Sequence, residues 1–226
     1  MRIADNVEML KIDDYYLTLL WDDENLVLVD AGLVTQHQTL VDAIKTAGHD
    51  PAKITHIIFT HHDMDHVGGG LDMLKVAPNA VTLAHIDEVP YINGDETPTK
   101  LAAHLEKYAT YDDEAKAQVD ASKELTSKTR FPIKEKLNCG DVLPICGGIE
   151  IIHTPGHTPG HICLYLQESQ IMVLGDAALV EDGKLVGFHP QYIMDMELAD
   201  KSIEKIKKYP MKGAVVYHGG FSHISS

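Results

Sequence analysis

Cysteine is scarce in this chain of 226 residues, where Cys139, Cys146 and Cys163 are the whole supply. The number is odd and no spacing is that of a zinc finger, which argues against a disulfide framework and for reduced, packed thiols in a cytoplasmic setting. Basic residues are also short, since 19 Lys and Arg stand against 34 Asp and Glu and leave a net charge of -15. Binding to a nucleic-acid backbone relies on cations that displace counterions, so this balance disfavours a nucleic-acid partner and favours a small, neutral or weakly charged substrate. Long apolar runs are missing as well. No stretch approaches the ~20 residues that span a bilayer, and Met1-Arg2-Ile3-Ala4-Asp5-Asn6 lacks the order of a signal peptide, so no membrane partner is expected. The remaining composition, 44% hydrophobic and 23% charged, is that of an ordinary globular enzyme, and the length suits one domain over 1–226. Nothing fixes the oligomeric state, and a homodimer is admitted.

Apolar or β-branched runs at 7–12, 15–21 and 25–30, parted by acidic pairs, read as a meander of strands. Thr35 to Gln38 has capping-box spacing, and Leu40, Val41, Ile44 and Ala47 mark a helix that Gly48 ends. Runs at 54–60 and 80–85 predict strands flanking a helix with Leu71 and Leu74. The charged stretch 93–136, with Leu101, Leu105 and Tyr108 at helical spacing and no strong strand, reads as a helical insertion able to roof a site. Strands resume at 149–154, 161–167 and 170–175, separated by turn signals. A last helix over about 196–208 is capped by Asp195 and striped by Leu198, Ile203 and Ile206, and 213–217 is the final strand.

One stretch carries chemistry: Thr60-His61-His62-Asp63-Met64-Asp65-His66-Val67-Gly68-Gly69. In an extended loop residues two apart point the same way, so His61 and Asp63 can close on one ion while Asp65 and His66 turn to a second. Gly68 and Gly69 are expected to let the backbone bend sharply before a helix. Three later residues, His157, Asp176 and His218, each follow a strand-like run and sit beside a glycine. Loops at one set of strand ends converge, so these seven can meet, supplying four imidazoles and three carboxylates. Plainer roles suit the neighbours. His161 is expected to support its turn from behind, Asp30 to end a strand or brace a ligand, and His85 to be surface or core. Phe188, His189 and Tyr192 pack beside Pro190 or touch substrate.

Four landmarks therefore stand in order: the Thr60–His66 loop, the Thr154-Pro155-Gly156-His157-Thr158-Pro159-Gly160-His161 turn, Gly175-Asp176 and His218. Together they resemble the metallo-β-lactamase superfamily. The resemblance implies an α/β fold, the four-layer αββα sandwich, with a dinuclear site at one edge. It implies His61, Asp63 and His157 at a first metal, Asp65, His66 and His218 at a second, and Asp176 as the bridge. The family usually has histidine where this chain has Asp63. Flavodiiron proteins, a redox branch, place a glutamate there and bind iron, and His62 swinging in is an alternative ligand. Three carboxylates and a bridging hydroxide cancel the four charges of two divalent ions, which weakens the Lewis acid. Oxygen donors also favour harder ions, so zinc is the first expectation, with iron or manganese competing.

A dinuclear site brings the pKa of a shared water from 15.7 to about 7 and polarises a carbonyl, so hydrolysis of a small ester, lactone or thioester by a metal-bridging hydroxide is expected. Asp65 would orient that nucleophile or move a proton. β-Lactamases with a cysteine ligand do not match, because Asp176 holds that place. Acyl-homoserine lactonases are similar in the turn, yet many carry a tyrosine three residues after the bridge, where this chain has Leu179. Glyoxalase II enzymes share the loop but bind glutathione through basic residues that find no counterpart here. An iron redox site, a phosphodiesterase and a silent metal-binding module are the alternatives.

Overall fold

The computed structural model describes residues 1–225. Seven strands form one sheet in chain order, β1 (Arg2–Ala4), β2 (Val7–Ile12), β3 (Tyr15–Trp21), β4 (Leu26–Val29), β5 (His56–Phe59), β6 (Val81–His85) and β7 (Glu135–Leu137). The first four pair antiparallel through short links, whereas β4 to β7 pair in parallel and need crossovers. Those crossovers carry helices: α1 (His37–Thr46), then α2 (Met64–Val67) and α3 (Gly70–Val76), then α4 (Val89–Asn93), α5 (Thr99–Glu106) and α6 (Asp113–Lys128). The second sheet is built from β8 (Val142–Leu143), β9 (Ile149–His153), β10 (Ile162–Leu166) and β11 (Ile171–Val173). A separate hairpin, β12 (Ala178–Glu181) and β13 (Lys184–Gly187), and the helix α7 (Met196–Ile206) precede its last strands, β14 (Gly213–Val216) and β15 (Gly220–His223). The order across that sheet is β15-β14-β11-β10-β9-β8.

Alternation along the strands explains the layers. Val27, Val29, Ile58 and Leu83 point to one face of the first sheet and meet Ile149, Ile151, Ile162, Leu164, Val173 and Val215 of the second. Their neighbours Leu26, Leu28, Ile57 and Phe59 point the other way, against Leu40, Val41 and Ile44 of α1 and Met73 of α3. On the outer face of the second sheet, Ile152, Cys163, Met172 and Val216 pack against Ile203 and Ile206 of α7 and Leu185 of the hairpin. Both sheets are thus apolar on both faces and must be covered on both, which is the αββα sandwich. Each fully buried Leu, Ile or Phe in these layers stabilises it by about 1.5–3 kcal/mol.

Several expectations fail in detail. The capping box at Thr35 does not form: α1 starts at His37 after a 3-10 turn, and the Gln36 side chain instead accepts from Leu33 N at 3.1 Å and donates to Asp13 at 2.9 Å. The stretch 93–136 is not free of strand, because Glu135–Leu137 pairs in parallel with β6. Helical structure also begins earlier, at Val89. The buried face of α7 is Ala199, Ser202, Ile203 and Ile206, and Leu198 is exposed. Gly68 and Gly69 have ordinary φ values of -56° and -79°, so no sharp bend needs them. Their service is close approach: a Cβ on Gly69 would lie 2.2 Å from the Ala31 carbonyl oxygen, and one on Gly68 2.4 Å from that of Met64. Among the described residues no helix is long and apolar enough to cross a membrane.

Candidate metal centre

The parallel strands β4 and β5 end side by side and deliver the first residues of the site. Asp30, following β4 with φ of 61°, is buried and accepts from Thr60 N at 2.8 Å and from Thr60 Oγ1 at 2.9 Å. Its Oδ2 also accepts from His66 Nδ1 at 2.9 Å. That hydrogen bond fixes the ring's orientation, with Nδ1 committed to Asp30 and Nε2 turned toward the other donors. His161 plays a comparable part in the Thr154–His161 turn, with Nδ1 2.8 Å from Thr154 Oγ1 and Nε2 accepting from Asp176 N at 3.0 Å. Gly175 makes room for it, since a Cβ there would sit 2.7 Å from His161 Nε2.

From these supports the seven side chains come together at one rim of the sandwich. His61, Asp63, His157 and Asp176 form one group, and Asp65, His66 and His218 another, the donor atoms of each within 4.8 Å of one another. Asp176 lies between the groups: its Oδ1 is 3.5 Å from His66 Nε2, and its Oδ2 is 3.5 Å from His157 Nε2 and 3.3 Å from His218 Nε2. Asp63 Oδ2 faces His61 Nε2 at 3.3 Å and His157 Nε2 at 2.9 Å. Asp65 Oδ2 lies 3.4 Å from His218 Nε2. His62 is not brought in. Its ring contacts Glu88 through Nδ1 and Thr99 Oγ1 through Nε2, the latter at 3.0 Å, so it points away from both groups.

Electrostatics follows from burial and charge. Burial and the neighbouring His66 depress the His61 pKa and hold the ring neutral. Burial alone would raise the Asp63 and Asp176 carboxyls; hydrogen bonds and charge from His157, His61 and Lys100, and from His66 and His218, overcome it and keep both ionised. Burial alone would depress His66, yet Asp30, Asp176 and Asp65 hold it well above the usual imidazole range. Four buried atoms of these seven side chains, His61 Nε2, His66 Nε2, His157 Nδ1 and Asp176 Oδ1, have no hydrogen-bond partner. Leaving each unsatisfied costs about 1–3 kcal/mol. Imidazole nitrogens converging among ionised carboxylates are the donor set that divalent cations satisfy, such an ion taking the place of the proton that the carboxylates hold on His66, so the residues fit such ions.

Four participants were not read from the sequence. Glu88, fully buried, accepts from His62 N at 2.8 Å, Thr158 Oγ1 at 2.7 Å and Gly160 N at 2.7 Å, tying the Thr60–His66 loop to the Thr154–His161 turn. Tyr217 stacks on His66 at 3.7 Å and donates its hydroxyl to the Asp65 carbonyl at 2.5 Å. Burial, with Asp30 and Asp65 beside it, pushes the Tyr217 hydroxyl up, so it stays a donor. Lys100 of α5 reaches Asp63, and Tyr15 stands edge-on to His218 at 5.3 Å. Of these only Tyr217 had a signal, its place in the Val216-Tyr217-His218 run.

A cavity of about 490 Å³ opens above the centre, lined by Asp63, Asp65, His157, Asp176 and His218 on its floor and by Tyr15, Lys100, Leu179, Phe188 and Tyr192 on its walls. His189 is not among the lining residues. His85 is buried and stacks on His153 at 4.1 Å, apart from this cavity.

Residues 14–220 match the model of the metallo-beta-lactamase superfamily. Among curated proteins the chain is 26% identical to the probable metallo-hydrolase YflN of Bacillus subtilis (strain 168), over 91% of this chain and 79% of that one. It is 24% identical to an N-acyl homoserine lactonase of a Bacillus species over 79% of its length, and spans 60% of that lactonase. Among solved structures, a metallo-beta-lactamase family protein of Thermus thermophilus superposes with a TM-score of 0.72 at 20% identity, covering 96% of this chain and 75% of the other. BJP-1, a subclass B3 metallo-beta-lactamase of Bradyrhizobium japonicum, gives 0.66 at 20% identity, covering 96% and 76%.

Proposed function

The chain belongs to the metallo-β-lactamase superfamily, and on that footing we propose that it is a dinuclear metal-dependent hydrolase of a small ester, lactone or thioester. The observation that carries this reading is the gathering of seven donor side chains on the floor of one cavity. In it His61, Asp63 and His157 would hold one divalent ion and Asp65, His66 and His218 a second, with Asp176, which lies between the two groups, shared by both. Zinc is the resident metal proposed, with iron or manganese competing because three of the seven donors are carboxylates. When bound, such a pair supplies a water acidified from a pKa of 15.7 to about 7 and a Lewis acid for a carbonyl oxygen.

The chain's own residues do the rest. Asp65, its backbone pinned by the Tyr217 hydroxyl, faces the cavity and orients the attacking water or hands a proton to the leaving oxygen. Asp30 holds the His66 ring in register, and His161 holds the backbone of Asp176. Leu179, Phe188, Tyr192 and Tyr15 offer an apolar wall for an acyl chain or lactone ring and thin the water around the reacting carbonyl. The substrate class draws support from relatives described as an N-acyl homoserine lactonase and as an atrochrysone carboxyl ACP thioesterase of Cryptosporiopsis. The net charge of -15 favours a small molecule over a nucleic acid.

A second reading, an iron-bearing redox site, rests on one feature, the Asp63 carboxylate where the superfamily usually has histidine. Turnover of lactones, acyl thioesters and p-nitrophenyl esters by protein reconstituted with zinc, manganese or iron separates the two. Hydrolysis lost in Asp65→Ala supports the hydrolase. Iron retention with an optical signal and no hydrolysis of any substrate would replace it with the redox reading.

A further inference from the structure

The Lys100 ammonium is seated among the donors of one metal group and not the other. It contacts Asp63 Oδ2, the same oxygen that faces His61 Nε2 at 3.3 Å and His157 Nε2 at 2.9 Å, and lies 3.2 Å from His157 Nε2 itself. Asp65, His66 and His218 have no lysine or arginine among their ion pairs in the described residues. The placement is built from behind. Glu88 anchors His62, and His62 Nε2 meets Thr99 Oγ1 at 3.0 Å and Thr99 N at 3.3 Å, at the first residue of α5. Lys100 follows directly, so its backbone is fixed beside the loop while a side chain about one-third exposed keeps room to swing into the cavity.

We infer that Lys100 is a built-in cation that competes with metal for the group of His61, Asp63 and His157, so that the two positions fill in sequence, that of Asp65, His66 and His218 first. This rests on the dinuclear reading above. The physical reason is charge. Asp63 places an anion between two imidazoles, and Lys100 neutralises it. An ammonium and a divalent ion cannot share one carboxylate oxygen and one imidazole nitrogen, so the first ion must expel the ammonium before binding. The second position carries no such toll. The Asp63 carboxylate and the Lys100 ammonium are thus two halves of one device, which makes occupancy of the first position depend on metal supply.

Titration of metal-free protein with zinc, followed calorimetrically, and with cobalt(II), followed by its ligand-field spectrum, tests the inference. The wild-type chain is expected to bind in two steps at least about tenfold apart, with the tighter one lost in His218→Ala and the weaker one lost in Asp63→Ala. Lys100→Met and, as a second neutral variant, Lys100→Gln should tighten the weaker step about tenfold or more and leave the tighter step and its cobalt spectrum unchanged. Lys100→Arg should keep the separation. Two steps unmoved by both neutral variants, or a weaker step that survives Asp63→Ala, would overturn the competition and leave the dinuclear reading standing. Absence of any metal uptake by the wild-type chain would overturn both.

Discussion

Asp30 Oδ2 accepts a hydrogen bond from His66 Nδ1 at 2.9 Å, while its other oxygen holds Thr60 N at 2.8 Å. One buried carboxylate therefore sets both the imidazole and the strand end from which the Thr60–His66 loop departs.

Replacing Asp30 by alanine leaves the Thr60 amide and the His66 ring without their partner, at about 1–3 kcal/mol for each unsatisfied group. Loss of such a supporting contact typically weakens metal binding about 10–100-fold. Metal titration of Asp30→Ala and Asp30→Asn should show that loss, with Asn, which keeps one acceptor oxygen, the milder of the two. Wild-type affinity in Asp30→Ala would remove Asp30 from the centre.

Glu88 is expected to matter to stability more than its distance from the cavity floor suggests. It is fully buried with four partners, His62 N, the His62 ring, Thr158 and Gly160. Leaving two of those buried donors unsatisfied costs about 2–6 kcal/mol at about 1–3 kcal/mol each, and about 1 kcal/mol shifts the midpoint of a chain this size by roughly 2–4 °C. Thermal unfolding of Glu88→Ala should fall by roughly 4–24 °C on that basis. A shift within about 2 °C, the effect of a surface substitution, would contradict the role.

The thiols give a pH dependence with a definite sign. Burial pushes Cys146 and Cys163 up to about 12. An unfolded thiol ionises near about 8.5, so the folded chain keeps protons that the unfolded chain gives up. Their contribution to stability is complete below about pH 8.5 and is lost as pH rises toward 12. At pH 8 an aromatic disulfide reagent should titrate one thiol, Cys139, which is exposed, and reach the other two only on unfolding. Fast reaction of all three in the native protein would contradict this burial.

The strands were legible because Leu26-Val27-Leu28-Val29 and Ile57-Ile58-Phe59 are unbroken apolar runs that give buried groups to both faces, whereas the αββα arrangement was expected only through the resemblance carried by the four landmarks. The candidate donors were legible because His61, Asp63, Asp65 and His66 crowd one loop after a strand-like run, while His157, Asp176 and His218 each follow such a run beside a glycine. The hairpin β12–β13 was missed despite a usable signal, Asp182-Gly183 between apolar pairs, whose φ values of 49° and 74° suit a two-residue hairpin turn. Short strands such as Arg2–Ala4 carry too few residues for a period to show. Lys100 and Glu88 were illegible for a different reason. Their roles arise from contacts 37 and 26 residues away along the chain, to Asp63 and His62, and a lone charged residue in a helical stretch has no local mark of such a partner.

The most direct test of the centre is the metal content of the protein after reconstitution with excess zinc and removal of unbound ion, measured beside Asp176→Ala. Two equivalents per chain, falling to one or none in the variant along with lactone or thioester hydrolysis, is the result expected of seven side chains sharing two ions through Asp176. Retention of no divalent metal by the wild-type chain, or two equivalents held undiminished without Asp176, would contradict it.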